Sequence, residues 1–202
     1  MFAAVTGLAL SASAGLNAYI PIIIVGLLAR FTDAVALPHQ FAWMSSDQGI
    51  AIIAVLLAAE VVLDKVAIVD HVNDMIQTAV RPAAGGAVFA ATAAAGQVDS
   101  SAFMRANPWI GWALGIAVAL VVHLTKASVR PVINAGTLGV GTPFVSAAED
   151  ATSLGLSLVA ILFPVVALVF LVVFAWALAR LVRAVRARRR RRRAALSSTS
   201  PA

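Results

Sequence analysis

The sequence holds no cysteine in its 202 residues. A disulfide framework, a thiol nucleophile and a cysteine-ligated zinc site are therefore excluded. Charge is scarce as well. Only 12% of the residues are Asp, Glu, Lys or Arg, against about 25% in an ordinary soluble domain. What fills the chain instead is apolar: 61% is hydrophobic, and the mean hydropathy is +0.95. At this length no water-soluble core absorbs so much apolar surface, so the relevant solvent is lipid. Most soluble enzymes, disordered chains and simple nucleic-acid binders are excluded on the same ground.

The net charge of +6 is unevenly held. Nine of the fifteen basic residues lie between Arg180 and Arg193, and residues 1–179 carry six basic and nine acidic side chains, so the body stands at −3. The isoelectric point of about 11.3 belongs to the tail. Arginine outnumbers lysine thirteen to two, the composition of a GC-rich bacterial genome. This division predicts a helical transmembrane domain over 1–179 and a basic cytoplasmic tail over 180–202, partly disordered from Ser197 onward.

A helical span needs about 20 apolar residues. Apolar segments run over 2–29, 49–69, 79–95, 109–125 and 153–179, with a weaker, uncharged one at 131–148 that holds Asn134, Gly136, Gly139, Gly141 and Pro143. The expected fold class is all-α: a polytopic helical membrane protein of about six hydrophobic segments, some broken or re-entrant. Asn17 and Pro21 interrupt the first segment and predict a kink or break there. Ser11-Ala12-Ser13-Ala14 resembles a signal cleavage site, but no Lys or Arg precedes the apolar run. The stretch therefore reads as a retained first span. Trp43, Trp109 and Trp112 stand where interfacial anchors sit.

Basic residues near span ends orient the chain. If 131–148 spans, there are six spans, both termini are cytoplasmic, and Lys65, Arg81, Lys126 and Arg130 share that side, with Arg30 and Arg105 opposite. If 131–148 is re-entrant, there are five spans and those four residues face outward. Charge favours the first arrangement. The glycine-rich composition keeps the second open, because irregular backbone is tolerated where it lines a cavity. The expected location is a bacterial inner membrane with the C-terminus in the cytoplasm.

Ionisable residues inside the apolar stretches carry the most information. From Gly49 to Val80 there is no internal Gly or Pro. Wound as one helix at about 100° per residue, this stretch puts Glu60, Asp64, His71, Asp74, Thr78 and Arg81 on one face, and leaves Lys65, Asp70 and Asn73 off it. An Asp or Lys at a helix centre costs roughly 2.5–3.5 kcal/mol against lipid. Glu60 must therefore face the bundle, be paired, or be protonated. A structural ion-pair network at a membrane edge and a functional site both satisfy that demand.

A second face, His123, Lys126, Arg130 and Asn134, follows at helical spacing. It is basic where the first is acidic, which sets Lys126 and Arg130 against Glu60, Asp64 and Asp74. Val80-Arg81-Pro82 and Val129-Arg130-Pro131 echo one another, and with two spans between them they argue for a parallel repeat. A third cluster holds Ser146, Glu149 and Asp150. Ser146 with Glu149 reads as a capping box opening the last segment, and Glu149-Asp150 suits a helix N-terminus.

Together these stretches resemble the bacterial multi-pass membrane family catalogued as domain of unknown function 4126, over roughly residues 7–175. The resemblance is carried by Ser13-Ala14-Gly15-Leu16-Asn17, Glu60 with Asp64-Lys65, Asp70-His71 with Asp74, Arg81-Pro82, Lys126 with Arg130, Asn134, and Pro143 to Ser146 with Glu149-Asp150. The chain departs from the family where Ala67-Ile68 replaces a Pro-Gly or similar pair after Asp64-Lys65. The resemblance implies a compact helical membrane domain and no established activity.

Three functions fit these residues. Buried ionisable groups and broken segments point to a transporter or channel for a small ion or polar solute. A non-catalytic scaffold or lipid-interacting subunit fits if the polar cluster only locks the bundle, with Arg180–Arg193 holding anionic headgroups. A membrane enzyme would use His71 and Asp74 with Asp64 or Glu60, but no metal or nucleophile motif is present. The candidate substrate or ion residues are Glu60, Asp64, Lys65, Asp70, His71, Asp74, Arg81, His123, Lys126, Arg130, Asn134, Ser146, Glu149 and Asp150. No catalytic residue, metal or cofactor is implied. The partners implied are membrane lipids and further copies of the chain, not nucleic acid, because no folded reading module accompanies the arginine run.

Overall fold

A computed structural model describes residues 2–65, 67–95, 106–138 and 140–173, with Trp176, Arg180 and Arg183. Among the described residues every regular element is a helix: α1 (Phe2–Leu16), α2 (Tyr19–Phe31), a 3-10 helix (His39–Ser45), α3 (Asp47–Leu63), α4 (Ala67–Ala95), α5 (Trp109–Thr137), α6 (Thr142–Leu162) and the short α7 (Pro164–Val173). α5 over Trp109–Pro131 and α6 are each long and apolar enough to cross a membrane, and the 3-10 helix with α3, bent by 60°, forms a third candidate.

The helix ends follow from local chemistry. Asn17 donates its N–H to the Ser13 carbonyl at 3.0 Å, closing α1. Its Oδ1 accepts from the N–H groups of Tyr19 and Ile20 at 3.1 and 3.2 Å, opening α2. Pro21 lies in the first turn of α2, where a missing N–H costs little. Ser46 caps α3 by accepting from Gly49 at 3.0 Å. The stretch 49–80 is not one helix: α3 ends at Leu63 and α4 starts at Ala67. The chain thus breaks here although neither Gly nor Pro stands between Leu63 and Ile68.

Two expectations about spans are corrected. Residues 131–148 form no span of their own. α5 runs through Pro131 to Thr137, Leu138 ends it at a positive φ of 52°, and α6 opens at Thr142. Gly136 thus lies in the last turn of α5, Pro143 in the first turn of α6, and Gly141 at the N-cap between them.

The first apolar segment is not one continuous span either, being split into α1 and α2. The α1–α2 turn lies beside the charged residues described below, because the Leu16 carbonyl accepts from Lys126 Nζ at 3.1 Å. From there α2 runs back. Gly26 lies against the Met44 carbonyl, and Arg30 pairs with Asp47, at the start of α3, at 2.7 Å. Asp47 stands thirteen residues before Glu60 on α3, about 20 Å away at 1.5 Å per residue. α1 enters from that same end, since Gly7 packs on Phe89 and Thr92, and Phe89 packs on Gly111 near the start of α5. α1 and α2 therefore form a re-entrant pair whose turn is inside the bundle.

Small residues let the bundle close. α4 and α5 are antiparallel neighbours that meet at Gly85 and Gly115, where a methyl group on either glycine would strike the other's carbonyl. Such close approach is how helices gain contact without a hydrophobic drive between them. The antiparallel packing also means that the two Val-Arg-Pro copies run in opposite directions, so they mark no parallel repeat.

α3 shows the lipid pattern plainly. Ile52, Val55, Leu56, Val62 and Leu63 are exposed, while its buried residues are Gly49, Ile53 and Glu60. Of the second compact unit, Leu168–Ala202, the described part continues α7 to Val173 and stacks the Arg180 guanidinium over the Trp176 ring at 4.7 Å.

Candidate functional site

Four helices bring opposite charges together below the re-entrant turn. Asp64, just past the end of α3, is the hub. Its Oδ2 lies 3.4 Å from Arg81 Nη2, 3.2 Å from Lys126 Nζ and 3.1 Å from Arg130 Nη2. Its Oδ1 accepts from the Asn73 amide. Glu149 Oε2 on α6 takes Arg130 Nη2 at 2.6 Å and Lys126 Nζ at 3.0 Å. Glu60 Oε1 accepts from Arg81 Nη2 at 2.8 Å, and Asp74 Oδ1 stands 4.0 Å from Arg81 Nη1. Arg81, Asp64 and Glu60 are respectively 0, 1 and 2% exposed. Burying any one of them alone would cost several kcal/mol, and mutual pairing offsets part of that.

His123 completes the upper side. Arg81 Nη1 is 3.3 Å from His123 Nδ1, and Thr78 Oγ1 is 2.9 Å from Nε2. A guanidinium only donates, so Nδ1 accepts and the ring proton sits on Nε2, donating to Thr78. Thr78 in turn donates to the Asp74 carbonyl at 2.8 Å. This chain of bonds holds His123 neutral.

A second polar layer ties in the re-entrant pair. Asn17 Nδ2 donates to Asp150 Oδ1 at 2.9 Å, and Lys65 stands 3.8 Å from the other Asp150 oxygen. Deeper, the Ser13 hydroxyl lies 2.7 Å from the hydroxyls of both Ser153 and Ser157, joining α1 to α6.

The structure thus gathers Glu60, Asp64, Asp74, Arg81, His123, Lys126, Arg130 and Glu149, with Lys65 and Asp150 beside them. Pairing differs from the expected facing of two helices: Glu60 meets Arg81 of α4 rather than Lys126 or Arg130, and Glu149 supplies a carboxylate to both of those. The capping box is also corrected. Thr142 and Pro143 open α6, so Ser146 lies inside it, fully buried, with no hydrogen-bond partner for its Oγ. Glu149 and Asp150 lie a further turn in, held by cations and Asn17 rather than by a helix terminus. Asp70, His71 and Asn134 lie on α4 and α5, but their side chains fall outside the described residues.

Asn73, Tyr19, Gln77, Ser153 and Ser157 were not singled out from sequence. Only the serines left a readable signal, two hydroxyls four residues apart in an apolar run. Asn73 reaches Asp64 because the helix breaks between them.

The class this defines is an all-helical bundle whose apolar helices fit a membrane protein, with an ion network enclosed among them. The chain belongs to the family described as Domain of unknown function (DUF4126), whose model matches residues 4–184. No curated protein and no solved structure matches it.

Proposed function

We propose that this protein is a transporter or channel for a small ion or polar solute, and that the cluster around Asp64 lines its route. The observation that carries the reading is the re-entrant α1–α2 turn: an interrupted helix whose last carbonyl, Leu16, and next side chain, Asn17, meet the buried ions. Interrupted helices that bring backbone ends and polar side chains to a buried charged site recur where membrane proteins bind solutes. Buried ionisable groups are costly, and a purely structural lock has cheaper apolar solutions.

The proposed setting is a bacterial inner membrane. Arg180–Arg193 would rest on anionic headgroups.

The test is flux in proteoliposomes. Gradients of protons, sodium, chloride and phosphate are imposed in turn, with a pH dye and ion-selective electrodes as readouts. The expected result is flux of at least one of them above protein-free liposomes, lost in Asn17→Ala and Asp64→Asn proteins that still reconstitute. Liposomes tight to all four with folded wild-type protein would instead favour the scaffold reading.

A further inference from the structure

We infer that Glu60 is the proton-binding group of this cluster and carries its proton on Oε2 at neutral pH. The argument starts from two atoms. Glu60 Oε2 and Gln77 Oε1 are buried acceptors with no hydrogen-bond partner, on side chains whose residues are 2 and 3% exposed. Two buried acceptors left unpaired are costly. One proton on Oε2 neutralises a buried carboxylate whose second oxygen no donor reaches, and turns that oxygen into a donor.

Charge points the same way. Among the described residues four carboxylates, Glu60, Asp64, Asp74 and Glu149, face three cations, Arg81, Lys126 and Arg130. His123 adds none, being neutral by its hydrogen bonds. The carboxylates are not equivalent. Asp64 is met by three cations and an amide, and Glu149 by two cations. Glu60 has one cationic partner, on one oxygen, and that cation is shared with Asp64 and Asp74. The groups facing Glu60 are Tyr19 from α2, Asp64 from the end of α3, Arg81 from α4 and Lys126 from α5. Among the described residues, Arg81 is the one that hydrogen-bonds to it. A metal ion fits less well: no three His, Asp or Glu side chains among the described residues are placed to share one.

The chemistry is a plain proton exchange. An O–H bond forms at Oε2 with a proton from water, and on release the proton returns to water, leaving the carboxylate beside Arg81. That this proton is moved or coupled across the membrane rests on the transport reading above. The proton site itself does not.

The sequence offers a clean test, because Glu60 and Glu149 are its only glutamates. Protein labelled with 13C at the glutamate side-chain carboxyl, purified in detergent, has two such NMR signals. The expected spectrum at neutral pH shows one protonated acid and one carboxylate, with the acid signal lost in Glu60→Gln and moving to the carboxylate position as pH is raised. If Glu60→Gln does not fold, Glu149→Gln assigns the pair from the other side. Two carboxylate signals at neutral pH, or an acid signal that belongs to Glu149, would overturn the inference. Proton flux measured after reconstituting the same protein into liposomes separates the two proposals. An acid signal without flux of any tested ion keeps the proton site and sinks the transport reading.

Discussion

α3 carries an ion pair at each end, and the two ends obey different rules. At its start Arg30 meets Asp47 at 2.7 Å, with side chains 34 and 86% exposed. At its finish Asp64 meets Arg81, Lys126 and Arg130 with 2% of its side chain exposed. The distances are alike, but the solvent is not. Water screens the first pair and would solvate either partner left alone. Nothing of the kind is available to Lys126 or Arg130 once Asp64 is gone. A short N–O distance is therefore no measure of what a pair contributes.

The strongest test of this contrast is Asp64→Asn. It should cost about 3–5 kcal/mol by removing the one carboxylate that all three buried cations share, read as a large fall in thermal unfolding temperature in detergent. Combining it with Lys126→Met should recover part of the loss, because fewer uncompensated charges remain. Equal stability for single and double variants would mean that the hub is not a coupled network. Glu60→Gln, one turn before Asp64 in α3, should by comparison be mild.

Next in size is a packing change away from any charge. Gly115→Val should cost about 1–3 kcal/mol, since no methyl group fits against Gly85. A wild-type melting curve would show that α4 and α5 need no such contact. Smaller again, Leu138→Gly should stabilise by about 1 kcal/mol, because glycine adopts the positive φ at the end of α5 without a Cβ penalty. At the exposed end of α3, Arg30→Gln or Asp47→Asn should change stability by less than about 1 kcal/mol. A loss there as large as that of Asp64→Asn would erase the distinction between the two ends. The smallest effect belongs to the tail. Deleting residues 188–202 should leave unfolding unchanged while weakening binding to anionic vesicles at low salt.

Much of this was legible one residue at a time. Glu60 and Arg81 stood out because a charge in an apolar run must be reconciled with lipid, whatever the fold. The opposite signs of the 60–74 and 123–130 stretches foretold that they would meet. Their exact partners were not legible. The helical-wheel argument assumed an unbroken helix through Asp64, and the break redirected Asn73 onto Asp64 and Arg81 onto Glu60. The Ser146–Glu149 spacing fits a capping box equally well as an interior turn, and only the true start of α6 at Thr142 distinguishes them.

Composition and hydropathy by themselves determined that the chain is helical, fits lipid and hides a few charges, because those demands are local and hold for any arrangement of helices. Only the tertiary structure decided that the first apolar segment turns back inside the bundle, that 131–148 is shared between the end of α5 and the start of α6, and that Asp64 rather than Glu60 is the hub. Hydropathy measures how much a segment prefers lipid but carries no sign of direction. A segment that enters and returns and one that crosses have the same composition. What separates them is the contact each end makes: Asn17 with Asp150 at the turn, and Arg30 with Asp47 back at the face where α1 began.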